Sequence, residues 1–182
     1  MNRAKASEYA FLLYAVVVAA AYGIAHDQVT ATISPEYFLL GKGLASHPEP
    51  FRLAVTLLAV RASCGTGLLA GAALLVANDP RRRGKPWHLP YAALVKLSLI
   101  PLALAAVAAI VAGIANASAL VGSDTAAALG VAPTRVRPFV IVWAIHAGSY
   151  AGALLGTAVS VAVVVARRRA GIRDPSPTSA RA

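Results

Sequence analysis

Residues 89–115 read LPYAALVKLSLIPLALAAVAAIVAGIA, an apolar run broken by a single charge, Lys96. A membrane-crossing helix needs roughly 20 apolar residues to span a hydrocarbon core of about 30 Å. A soluble helix of this length would carry a polar face, and this run has none. Three further runs have the same character: Tyr9 to Ala25, Phe51 to Ala77 and Phe139 to Ala166. Together they raise the apolar fraction to 58% and the mean hydropathy to +0.67, well above what a soluble domain needs. The expected fold is all-α. It is a polytopic membrane protein, a four-transmembrane-helix bundle forming one membrane domain over 1–173. The tail, 174–182, carries Pro175 and Pro177 among Ser and Thr and reads as disordered.

The net charge of +10 is unevenly placed. Arg3 and Lys5, then Arg81, Arg82, Arg83 and Lys85, then Arg167, Arg168, Arg169, Arg173 and Arg181 fall at the N-terminus, the second connection and the C-terminus. Four crossings put these on one side, and the positive-inside rule makes that side cytoplasmic. The expected location is a bacterial inner membrane with both termini cytoplasmic. The basic clusters then meet anionic lipid headgroups rather than nucleic acid, which is excluded as a partner. The first run also has features of a cleaved signal peptide, but Glu8 spoils the basic region and the run is long enough to span. A single cysteine, Cys64, excludes an internal disulfide and a multi-cysteine metal site.

Between the first two runs lies an outer segment, 26–50, opening His26-Asp27-Gln28-Val29-Thr30 and continuing Ser34-Pro35-Glu36-Tyr37-Phe38. Ser34 as N-cap, Pro35 at the first helical position and Glu36 in the first turn predict a short helix, ended by Gly41 or Gly43. Such a helix lies in the interface or re-enters the bundle, sheltered by other helices. Farther on, Pro101 should kink the third helix and free the carbonyl of Leu97. Gly67 and Gly71, and Gly148, Gly152 and Gly156, form small-residue strips suited to close helix packing, within one chain or between chains of a homo-oligomer or larger membrane complex. The outer segment 116–137 shows no chemical pattern.

Ionisable residues at membrane depth are costly and tend to face a partner, the interior or a pathway. His26, Asp27, Gln28, Thr30, Glu36 and Tyr37 with Arg61, His146, Ser149 and Tyr150 are therefore the candidate ligand-binding or pathway residues. In the expected arrangement Asp27 or Glu36 pairs with Arg61, and His146 bonds to Tyr150 or a loop carboxylate. His26, His47 and His146 with a carboxylate also supply ligand types for zinc, iron or copper, without diagnostic spacing, and haem between His26 and His146 is a further option. The structural alternatives are that Arg61 and Lys96 snorkel to headgroups, that His146 only links helices, and that His26-Asp27 only caps the first helix. No phosphate loop, nucleophile elbow or CxxC motif is present, and no catalytic residue or cofactor is identified.

The HDQ-x-T segment at His26–Thr30, Glu36-Tyr37-Phe38, and His146 with Ser149-Tyr150 and Gly152 through Gly156 resemble an uncharacterised family of small bacterial four-helix integral membrane proteins known by an HDQ-x-T…EYF segment and an H-x-x-SY-x-x-G last helix. The matching residues cover about a tenth of the chain. In that family a His-Pro closely follows EYF, whereas here a longer spacer precedes His47-Pro48. The resemblance implies a shared four-helix bundle and attaches no activity. The resulting expectation is a membrane protein with a polar site in its outer half, binding or passing a small solute, ion or proton. The alternatives are a membrane-embedded enzyme using histidine, with or without a metal, and a non-catalytic accessory subunit.

Overall fold

A computed structural model of the chain describes residues 3–46, 49–78 and 88–173. His47, the Arg81–Lys85 cluster and the tail 174–182 lie outside the described residues. Among those described there is no strand. The helices are α1 (Arg3–Ile33), α2 (Phe51–Asn78), α3 (Tyr91–Leu97), α4 (Leu99–Ala119), α5 (Ser123–Ala128) and α6 (Val136–Arg173). Four stretches are long and apolar enough to cross a membrane: Lys5–Ile33, Phe51–Asn78, Tyr91–Ala119 and Pro133–Ala170. The chain is a multi-pass membrane protein. Helical structure follows because lipid offers no partner for a backbone N–H or C=O, so each segment satisfies its own.

The first helix runs two turns beyond the expected end at Ala25, so 26–33 are helical rather than part of a connection. The polar residues do not break it. Thr30 returns its hydroxyl proton to the His26 carbonyl at 3.0 Å, and no glycine or proline occurs between Gly23 and Pro35. The stop comes at Ser34, because the residue before a proline is pushed out of the helical region. Ser34 is also not the expected cap: its hydroxyl donates to Glu36 Oε2 at 2.9 Å instead of accepting a backbone N–H. The short helix is present as a π-helical turn, Tyr37–Gly41, that buries Tyr37 and Phe38, and Gly43, with φ of 71°, turns the chain out of it.

α1 packs along α2, and α4 along α6, with α2 against α6 joining the two pairs. The glycine strips make these contacts within the chain. A Cβ on Gly67 would sit 2.6 Å from the Ala15 carbonyl oxygen, and one on Gly148 would sit 2.5 Å from that of Ala108. Gly152 and Gly156 leave no room for a Cβ against Leu104 and Pro101. Two apolar cores result. One, near the α1–α2 connection, holds Phe38, Val55, Phe139 and Val140. The other, nearer the chain termini, holds Phe11, Leu74, Leu94 and Val164.

The third crossing is interrupted between α3 and α4 at Ser98, one turn before Pro101. The Leu97 carbonyl that Pro101 leaves without a donor accepts the buried Ser160 hydroxyl of α6 at 2.9 Å. Removing that donor strands a buried acceptor. Ser160→Ala should therefore cost about 1–2 kcal/mol in a detergent-unfolding titration. In a Pro101→Ala background, where an N–H again serves Leu97, the cost should nearly vanish; equal costs in both backgrounds would dismiss this account. The connection after α4 is ordered by Asn116, whose amide donates to Val121 O at 3.2 Å and Val140 O at 2.8 Å while its carbonyl accepts Val121 N–H at 2.9 Å.

Candidate functional site

The site lies at the seam between the two helix pairs. Because α1 continues as helix, His26 and Thr30 are one turn apart on one face, and Asp27 sits beside them. Asp27, Thr30, His146 and Ser149 are all buried. His26 Nε2 is 3.3 Å from His146 Nδ1, and Asp27 Oδ1 is 3.8 Å from that same nitrogen. On the other side of the ring, His146 Nε2 is 3.4 Å from the Thr30 hydroxyl.

The Thr30 hydroxyl is within hydrogen-bond distance of the carbonyls of His26 and Asp27, at 3.0 and 3.2 Å, as well as of His146 Nε2. When its proton goes to a carbonyl, its lone pair accepts from His146 Nε2–H, and in that tautomer Nδ1 is a bare acceptor. That lone pair faces the carboxylate of Asp27 and the Nε2 of His26. Asp27 Oδ1 and His146 Nδ1 lie 3.8 Å apart, and the Lys42 ammonium, 5.3 Å from the Tyr37 ring centroid, acts electrostatically on both.

A lid of aromatic side chains closes one side. The Tyr37 ring stacks on His146 at 4.5 Å with an interplanar angle of 11°, and Phe38 meets the imidazole edge-on at 5.7 Å. Burial pushes the Tyr37 phenol well above its ordinary range, so it stays protonated. Glu36 latches the lid to the start of the fourth crossing through a two-pronged pair with Arg135, at 2.7 Å from Nε and 3.0 Å from Nη2. The expected Arg61 partner is wrong: Arg61 is exposed on α2 and joins neither carboxylate.

Two other expectations need correcting. Gln28 lies roughly 200° round the helix from His26 and does not enter the site. It joins α1 to α2, donating to Arg52 O at 3.0 Å and Thr56 Oγ1 at 2.9 Å. His146 takes His26 and Thr30 as partners, not Tyr150; Tyr150 lines the cavity but is 53% exposed. Ser149 instead meets the Tyr22 hydroxyl at 3.1 Å. Tyr22 was legible only as the residue one turn before His26, and Arg135 lay in a segment without a pattern.

Protein-family models, curated proteins and solved structures were compared with this chain, and none matches. Its chemistry rests on the residues alone.

The cluster opens into a small cavity of about 70 Å³, lined among others by Tyr22, Ser63, Thr66, Leu102 and Ala153. A second, of about 50 Å³, continues toward the end of the bundle that holds the chain termini, past Ser98, Pro101 and Thr157. The two share Ala19, Thr66, Leu102 and Ala153 as walls. They stack end to end between the helix pairs.

The latch titrates. Its guanidinium partner holds the Glu36 carboxyl at about 2, below the ordinary 4.5. A carboxyl depressed on folding stabilises the closed lid fully above its unfolded value, and this is lost as pH falls from about 4.5 toward 2. Protection of the 36–41 amides, corrected for the intrinsic pH dependence of exchange, should thus be constant above about pH 5 and fall as pH drops through this window. Glu36→Gln should abolish that dependence, and an unchanged profile in the variant would assign it elsewhere.

Proposed function

We propose that this protein binds a small cation at the His26–Asp27–His146 cluster and passes it along the cavities beneath. The observation that carries the reading is the buried His26–Asp27–His146 cluster opening into two small, partly open cavities between the helix pairs. Size narrows the range of solutes. Sites for small organic ligands measure roughly 300–1,000 Å³, whereas a cavity of about 70 Å³ admits two or so waters at about 30 Å³ each, or an ion. The larger concavities, about 460 and 430 Å³, are open, mainly apolar grooves that suit lipid chains, the second running past Tyr22, His26 and Thr30.

The hydroxyls along the column support passage. Thr66 and Thr157 donate their protons to their own helices, leaving lone pairs that stabilise a cation in transit. The membrane is proposed to be the bacterial inner membrane. The end bearing the termini would face the cytoplasm and its anionic headgroups, as the Arg167–Arg169 cluster suggests. The cation site would then lie in the outer half, about 10 Å along α1 from its end at Ile33.

The test is cation entry into liposomes carrying the full chain, read with internal dyes for protons and for divalent metals. Passage should appear in the wild type and fall with Ala153→Leu, which plugs the junction. Absence of flux for every cation would reject the reading and favour an accessory role.

A further inference from the structure

We infer that the His26–Asp27–His146 cluster is a binding site for a divalent transition metal of the zinc class. The inference rests on the same site as the proposed passage but not on passage itself. The donor atoms already converge: one nitrogen from each histidine and one carboxylate oxygen all lie within 4.8 Å of one another. The two nitrogens are 3.3 Å apart. Two ligands at about 2.0–2.1 Å from a tetrahedral zinc are separated by about 3.4 Å. Asp27 Oδ1, at 3.8 Å from His146 Nδ1, needs only a small side-chain movement to join them.

The chemistry of the set is selective. Two imidazoles and one carboxylate suit zinc, cobalt or iron, whereas calcium and magnesium take oxygen ligands. Neutral His26 offers Nε2 to the metal by carrying its proton on Nδ1. His146 offers Nδ1 in the tautomer whose Nε2–H donates to the Thr30 hydroxyl, 3.4 Å away. A partner that fixes tautomer and ring direction is what ligating histidines require, and the Tyr37 ring stacked on His146 restrains the imidazole further. Three protein ligands leave a fourth position toward the cavity lined by Ser63, Ser149 and Tyr150. Open positions belong to exchangeable or reactive sites, closed ones to structural sites. The assigned metal is therefore exchangeable.

The experiment uses the full chain, purified untagged in detergent, titrated with cobalt chloride and then zinc chloride. One cobalt per chain should bind, with the strong visible absorption of four-coordinate cobalt, and zinc should displace it. His26→Gln and Asp27→Asn should lose the signal. Thr30→Val, which retains all three ligands, should weaken binding roughly 10–100-fold, the usual effect of removing such a supporting partner. Helical circular dichroism of each variant separates loss of the site from loss of the fold. Substoichiometric binding by the wild type, or equal binding by folded His26→Gln, overturns the inference. Metal binding without flux sinks the passage reading and leaves the metal site standing; proton flux without metal binding does the reverse.

Discussion

Ala153→Leu should reduce cation entry into proteoliposomes to the level of empty liposomes while leaving metal affinity within about twofold. Ala153 is a wall of both partly open cavities, and three added carbons at their junction should obstruct passage between them. The donor atoms on His26, Asp27 and His146 are untouched. The site would therefore load and fail to discharge, a phenotype no ligand substitution gives. Overpacking a core costs about 1–3 kcal/mol, which a partly open cavity reduces. Flux that survives this change would move the pathway off the bundle axis.

Opposite signs are expected from two glycine-to-alanine changes. Gly152→Ala should destabilise the chain by about 2–3 kcal/mol, near the upper end for overpacking. The new methyl would meet the Leu104 carbonyl, with Ala105 Cα at 2.9 Å. These are backbone atoms and cannot move aside by rotating a side chain, so α6 must withdraw from α4. Gly65→Ala should stabilise by up to about 1 kcal/mol, since helical glycine is the costlier residue and its methyl would point into open space. Detergent-unfolding midpoints of the two variants compared with wild type decide the matter. Equal shifts in one direction would mean that the glycine strip of α6 is not an interface.

What could be read from the sequence was local. The spans follow from length and apolarity, the glycine strips from spacing, and the free Leu97 carbonyl from the missing N–H of Pro101. The donor to that carbonyl, Ser160, lies 63 positions away and leaves no trace in the local pattern. The same holds for the 99-position link between Glu36 and Arg135. Polarity misplaced the end of α1, because His26 to Thr30 satisfy themselves inside a helix and only Pro35 stops it. Arg61 was recoverable by phase. Gly67 and Gly71 mark the face of α2 that meets α1, and at 3.6 residues per turn Arg61 lies roughly 100° away from it. Charge alone suggested a partner; rotation about the helix axis removed it.

The pairing of α1 with α2 and of α4 with α6 bears on how the site comes to exist. Each pair is an antiparallel hairpin with its own glycine seam, able to zip as it enters the bilayer. His26 and Asp27 ride on the first hairpin and His146 on the second. Neither hairpin alone holds more than a fragment of the donor set. On the proposed reading, the donor set would be complete only once the two hairpins have met in the correct register.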